Sequence, residues 1–457
     1  MSTLIGLDIG TTSISAVAAE VSSGALLRSV TVPNDGILPS PDGVSRLQDP
    51  VRIVETALGL KESLAAEFSP VAAIGVTGQM HGILYLDRAG RAVSPLYTWQ
   101  DGRGNLPYGK STYAAHLSTR SCYPLASGFG LVTHFINREQ SLVPSEAVTF
   151  CTIQDYIALL LARRKTPLLH ASDAASFGCF DLEAHTFDRF AMEKLGFDNA
   201  FLPAVTAETA IIGQDGSIPV AAAIGDNQAS VLGSLRENAD ILVNIGTGSQ
   251  VSAVVSAPVP FPAGAVRPYV DGKFLLAGSP LCGGRAYAML HRFFARCAEL
   301  FGGDGRDIYT VMNDMAAEQP EDHSLTVDTR FCGTRNDPAL RGALSEISED
   351  NFTPEQLTRG VLWGMTAELR GLYGEMPLLS PATGLVGSGN AVRKNPVLRR
   401  YLEEQFNLPL KLPVHREEAA FGAAVFAAAA AGVYRDIPAA QSALLHYESK
   451  PPAKPEA

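Results

Sequence analysis

Residues 7–17 read LDIGTTSISAV, and residues 243–254 read VNIGTGSQVSAV. Laid together, Asp8 falls on Asn244, Ile9 on Ile245, Gly10 on Gly246, Thr11 on Thr247 and Ser13 on Ser249, and one extra residue then restores Ser-Ala-Val. Each stretch is an apolar run, a Gly-Thr turn and a second alternating run, which is the pattern of a β-hairpin. One copy at the head of each half predicts two similar domains.

Such turns suit phosphate. Gly10, Gly246 and Gly248 admit a backbone approach that a Cβ would block. Successive N–H groups can then face an anion, with the hydroxyls of Thr11, Thr12 and Thr247 as further donors. Two such turns facing each other across a cleft would grip a polyphosphate from both sides. Taken singly, either turn also reads as a plain tight hairpin. Asp8, at the end of the first strand and beside the turn, is placed to hold Mg²⁺ directly or through water.

The rest of the chain supports this frame. A length of 457 residues exceeds one ordinary core, so two domains are expected, at 1–239 and 240–457. Apolar strands at 71–77, 219–224 and 384–386 alternate with helical patterns at 49–68, 228–235, 285–300, 354–373 and 396–405, an α/β arrangement. A net charge of −11 without a basic run argues against nucleic acid or an anionic membrane as partner. An acidic protein that binds ATP must neutralise phosphate locally, with backbone N–H groups and a cation. The six cysteines form no C-x-x-C pair, which points to reduced thiols rather than zinc or disulfides. The alanine-rich run 419–434 is too short to span a membrane and reads as a buried helix. The first apolar run starts within a few residues of Met1, with no room for an export signal, so a cytoplasmic location is expected. The Pro- and Lys-rich tail from Ser449 is expected to be disordered.

Three clusters carry candidate chemistry. Ile224-Gly225-Asp226-Asn227 stands where a strand gives way to a helix, the place where open α/β sheets bind ligands. Asp226 there is either the base for an attacking hydroxyl or a helix N-cap; Asn227 is either a hydroxyl partner or itself the cap. Gln79, Met80 and His81, bracketed by Gly78 and Gly82, offer an amide and an imidazole suited to sugar hydroxyls. Trp99-Gln100-Asp101 adds an aromatic face for sugar C–H groups. A fourth segment, GNLPYGKS at 104–111, satisfies the G-x-x-x-x-G-K-S phosphate-loop pattern but follows polar residues and contains Pro107, so it is expected to be accidental.

Together the motifs DIGTTS, GQMHG at 78–82, WQDGR at 99–103, GDN at 225–227, the second GTG and GSGNA–NPVL at 387–398 resemble the FGGY carbohydrate kinases. They follow family order from residue 4 to about 430. The resemblance implies two ribonuclease-H-like domains of the actin/hexokinase/Hsp70 type around an interdomain cleft that closes on both substrates. It implies Asp226 as base, Asp8 serving Mg²⁺ and phosphate, and Thr11, Thr12, Gly246 and Thr247 on the ATP phosphates. Gln79, Met80, His81, Trp99, Asp101 and Asn227 would form the sugar site. Gly283, Gly284, Gly387, Ser388, Gly389, Asn390 and Asn395 would flank ribose and adenine. The runs VTGQMHGIL, LYTWQDGR, ASGFG and SDAASFG are most similar to members acting on the 7-hydroxyl of the ketose sedoheptulose. The alternatives are a kinase for xylulose or another ketose, and a non-catalytic sugar or nucleotide sensor.

Overall fold

A computed structural model describes residues 2–449 apart from 304, 335, 336 and 338. The expected disorder of the tail falls on residues that, Ser449 apart, lie outside those described. The chain forms two compact units. The first comprises Met1–Arg236, Arg267–Phe274 and Glu417–Leu445; the second comprises Glu237–Val266, Leu275–Arg416 and His446–Ala457. Each has its own hydrophobic core.

The first sheet runs in the order Ile211–Asp215, Ile218–Ala221, Val71–Gly78, Thr3–Ile9, Ser13–Glu20, Leu26–Pro33. Thr3–Ile9 is buried along almost its whole length, which is what a central strand covered on both faces requires. It pairs antiparallel with Ser13–Glu20 and parallel with Val71–Gly78. Helix Pro50–Glu67, capped by the Asp49 side chain on Val51 N–H, makes the crossover to Val71–Gly78.

The second unit repeats the plan. Its order is Ala265–Pro268, Phe274–Gly278, Ser249–Val255, Ile241–Ile245, Leu385–Ser388, Leu410–Lys411. Ile241–Ile245 pairs antiparallel with Ser249–Val255 and parallel with Leu385–Ser388. Helix Pro354–Gly374 precedes that parallel strand as Pro50–Glu67 precedes Val71–Gly78. The two hairpins differ at the tip. Ile9 pairs with Ile14, leaving residues 10–13 as the turn, whereas Ile245 pairs with Ser249, leaving 246–248. The first turn is therefore one residue longer, so Ile14 rather than Ser13 takes the place of Ser249, and the two Ser-Ala-Val runs do not share a register.

The second half is not continuous from 240 to 457, as the sequence suggests. Helix Glu418–Ala430 returns to the first unit. Its small side chains let its backbone lie against the central strands, and a Cβ at Gly6 or Gly75 would collide with the carbonyl oxygens of Ala420 or Ala423. The alanine-rich run is thus a buried helix shaped to the sheet. Among the described residues no helix is long and apolar enough to cross a membrane.

Candidate active site

Three parallel strand ends meet at one level of the first sheet. Ile9 is level with Gly78, and Gly78 with Gly225 on the short strand Ile224–Gly225. Gly10, Gln79 and Asp226 are therefore the first residues beyond the carboxyl edge. The register is locked by side chains as well as by the ladder: Thr77 Oγ1 donates to Ile224 O at 2.7 Å, and Gln79 N–H donates to Ile9 O at 3.0 Å.

Asp226 opens helix Asp226–Leu232, and Gly225 is the N-cap, with no side-chain capping bond. Neither Asp226 nor Asn227 is the cap that the sequence leaves open. Asn227 instead holds the carboxylate, its N–H and Nδ2 both reaching Asp226 Oδ1, at 2.7 and 2.9 Å. Asn227 Oδ1 is buried without a hydrogen-bond partner, an acceptor suited to a ligand hydroxyl.

The first glycine-threonine turn is fastened to the same group. Asn34 Nδ2 donates to Gly10 O at 2.9 Å, and Gln48 Nε2 donates to Thr11 O at 2.8 Å. Thr11 Oγ1 accepts from Trp99 Nε1 at 2.9 Å and donates to Gln79 Oε1 at 3.1 Å. The Thr11 hydroxyl, expected to face phosphate, is thus committed to the Trp99 and Gln79 side chains. Thr12 is exposed at the tip.

His81 adopts φ of 73°, an uncommon value for a non-glycine residue, and is held there from two sides. Its N–H donates to Ser176 Oγ at 3.0 Å, its Nδ1 lies 2.6 Å from Ser176 O, and its ring stacks on Phe129 at 4.6 Å. A carbonyl only accepts, so Nδ1 carries the proton and Nε2 is the acceptor nitrogen. Met80 is buried beside it, while the Trp99 indole is 46% exposed. Asp101 is a correction. It is only 2% exposed, and both its oxygens are taken by Arg103, with Nη2 at 2.5 Å from Oδ2. Arg103 Nη1 continues to Asn137 Oδ1 at 2.9 Å. Asp101 therefore braces the loop from behind and does not present its carboxylate.

The electrostatics of this edge are acidic. Burial, with Asp226 and then Glu417 nearby, pushes the Asp8 carboxyl up to about 7, although part of its surface remains open. Burial also raises Asp226, against the opposing pull of the Asn227 side chain and of Arg267. A carboxylate raised by burial and by its neighbours, as Asp8 is, favours a bound cation. Mg²⁺ needs only one or two carboxylates, with water and phosphate completing its shell, so Asp8 fits that duty. Among the described residues no three His, Cys, Asp or Glu side chains form a protein-only metal site.

In the second unit, Gly246 and Thr247 of the second turn line a cavity of about 650 Å³. The cavity is also lined by Gly284, Tyr287, Asn313, Asn390 and Asn395. Gly284 is required where it stands, because a Cβ there would collide with Gly246 O. Helix Arg285–Phe301 thereby begins against the turn. Asn395 caps helix Pro396–Phe406 through Leu398 N–H, and its Nδ2 reaches Asn313 Oδ1 at 2.9 Å. Tyr287 Oη donates to the same Asn313 oxygen at 2.8 Å. Of the remaining expected nucleotide residues, Gly387 and Ser388 lie inside the sheet, where Ser388 Oγ accepts from Asn244 Nδ2 at 2.8 Å. Gly389 and Gly283 are turn residues with φ of 86° and 51°. These four shape the backbone but are not among the residues lining the cavity. Tyr287 and Asn313, which are, escaped the sequence reading, since each lies in an ordinary helical pattern with no motif around it.

Residues 3–233 match the N-terminal domain of the FGGY family of carbohydrate kinases, and residues 241–431 match its C-terminal domain. The chain is an FGGY-family carbohydrate kinase. As such it is a phosphotransferase that takes ATP and a sugar. This kinase is 31% identical to the sedoheptulokinase of Mus musculus, over 92% of its own length and 96% of the relative's. It is 29% identical to the sedoheptulokinase of Homo sapiens over the same shares, and 23% identical to a xylulose kinase of Staphylococcus epidermidis over 95% and 89%. Its fold matches the crystal structure of xylulose kinase from Rhodospirillum rubrum with a TM-score of 0.81 at 20% identity, covering 99% of this chain and 94% of that one.

The phosphate-loop pattern at 104–111 has no such role in the fold of this kinase. Pro107–Tyr108 and Ser111–Thr112 form a two-stranded hairpin, with Gly109 at φ of 62° and Lys110 exposed at its tip. Gly104 lies inside the short 3-10 helix Gly102–Asn105 and not at the end of a strand, and the following helix, Tyr113–Ser121, is capped by the Thr112 hydroxyl.

Proposed function

We propose that this kinase transfers the γ-phosphoryl group of ATP to the terminal hydroxyl of a ketose, with sedoheptulose, phosphorylated at its 7-hydroxyl, as the best fit. The observation that carries the chemistry is Asp226 at the carboxyl edge of three parallel strands, its Oδ1 pinned by Asn227. Asp226 accepts the proton of the attacking hydroxyl as that oxygen bonds the phosphorus and the bond to the bridging oxygen breaks. A base so placed contributes about 10²–10⁴-fold, and positioning and charge neutralisation supply the rest.

Around the base, Asn227 Oδ1 and the His81 imidazole accept hydrogen bonds from sugar hydroxyls, and the exposed Trp99 indole covers the apolar face of the sugar. Gln79 supports this wall through Thr11. Asp8 would hold Mg²⁺, which would supply charge neutralisation at the phosphates. Thr12, Gly246 and Thr247 serve the phosphates, and Gly284, Asn390 and Asn395, joined by Tyr287 and Asn313, serve the nucleoside.

The choice of sugar rests on identity: 31% to a sedoheptulokinase against 23% to a xylulose kinase, each over at least 92% of this chain. Product analysis tests it. Incubation with ATP, Mg²⁺ and sedoheptulose should give a monophosphate esterified at O7, seen by phosphorus–proton correlation. Efficient turnover of xylulose with none of sedoheptulose would replace the substrate and leave the base in place.

A further inference from the structure

The acceptor site contains an arginine that no motif announces. Arg267 opens the segment Arg267–Phe274, which folds with the first unit although its flanks on both sides belong to the second. Two contacts hold it there. Pro268 O accepts from Gln228 Nε2 at 2.7 Å, and Gln228 is fully buried on the helix that Asp226 opens. Arg267 Nη1 stands 3.5 Å from Met80 Sδ. That sulfur also lies against Gly225, where a Cβ would come within 2.7 Å of it. Arg267, Met80 and the Gly225-Asp226 corner are thus one packed group.

Charge gives the contact a purpose. A thioether is a weak acceptor and does not select for a guanidinium. The carboxylates around the strand ends, by contrast, are several: Asp226 and Glu417 both act on Asp8, and Asp226 acts on Asp173. Arg267 is a cation acting on Asp226 amid them. A guanidinium there opposes the repulsion that would turn the base away from its working position.

We propose that Arg267 is a positioning residue for catalysis: its guanidinium, seated against Met80, holds the Asp226 carboxylate aimed at the acceptor hydroxyl. The inference rests on the reading of Asp226 as the base.

The test compares Arg267→Gln, Arg267→Lys and Asp226→Asn with the wild type. Steady-state kcat and KM are measured with whichever of sedoheptulose and xylulose is turned over faster, alongside melting temperatures. The expected result is a kcat for Arg267→Gln lowered roughly 10–100-fold with ketose KM within about threefold, since misplacement of a catalytic group acts on turnover. Arg267→Lys, which keeps the charge, should recover about a third or more of wild-type kcat. A kcat within twofold of wild type in Arg267→Gln, with Asp226→Asn inactive, overturns the proposal and leaves the base standing. Wild-type turnover in Asp226→Asn overturns both. Should Arg267→Gln not fold, Arg267→Met, which also removes the charge, decides: a kcat lowered at least about tenfold with ketose KM within about threefold supports the role, and a pure KM effect or no effect overturns it.

Discussion

The indole N–H of Trp99 donates to the hydroxyl of Thr11 across 2.9 Å, tying the WQDGR loop to the first glycine-threonine turn. Thr11 passes the link on to Gln79, and Gln79 to Gln48, whose amide returns to the Thr11 carbonyl. The first glycine-threonine turn and the side chains of Gln48, Gln79 and Trp99 are therefore one closed polar circuit in the first unit, so a change at either should be felt at both.

Trp99→Phe keeps the ring and removes the donor. One neutral hydrogen bond is worth about 1 kcal/mol, so kcat/KM for the ketose should fall roughly fivefold. The informative readout is ATP KM, which should also rise if the circuit couples the two. An effect confined to the sugar would show that the indole is only a stacking surface.

Gly284→Ala puts a methyl group into the Gly246 carbonyl. Overpacking of this kind costs about 1–3 kcal/mol, which predicts an ATP KM raised roughly fivefold or more with ketose KM little changed. Isothermal titration with a non-hydrolysable ATP analogue would show the same loss. Unaltered nucleotide affinity would remove the second turn from the nucleotide site.

Lys110→Ala tests the phosphate-loop resemblance. Lys110 is exposed at a hairpin tip, so ATP KM should stay within twofold of wild type. A collapse of ATP binding would restore that segment as a phosphate site.

Behind the site, Asp155 and Asp173 are buried together, and burial pushes the Asp155 carboxyl up to about 8 and raises Asp173 as well. The folded state therefore keeps a proton that the unfolded chain releases near pH 4. The stability this contributes is full below that pH and is lost as pH rises toward 8. Asp155→Asn removes the Asp155 share of this dependence, so the melting temperature of the variant relative to wild type should climb between pH 5 and pH 8.5. A difference that does not change with pH would contradict the assignment.

The sequence made the duplicated hairpins legible because glycine and threonine punctuate strands in a way that survives without structural context. It also placed Asp226 at a strand end. It could not separate base from helix cap, because that distinction turns on whether the helix starts at residue 226 or at 228, a boundary propensity does not resolve. Asp101 was misplaced for a similar reason: its partner Arg103 is two residues away, and only the fold of the loop decides whether the carboxylate looks outward. The return of helix Glu418–Ala430 to the first unit depends on small residues meeting Gly6 and Gly75 across more than 300 positions, and no local pattern reports such a match. Tyr287, Asn313 and Arg267 became visible only when separate segments were brought together.

The central claim is that Asp226 is the base of a ketose kinase. Its most direct test is ATP- and Mg²⁺-dependent turnover of sedoheptulose, xylulose, ribulose, fructose and glycerol by the wild type, with Asp226→Asn as the blank. Sedoheptulose should show the highest kcat/KM, and Asp226→Asn should lower kcat at least about 10²-fold with ketose KM little changed. Comparable turnover in Asp226→Asn would contradict the claim.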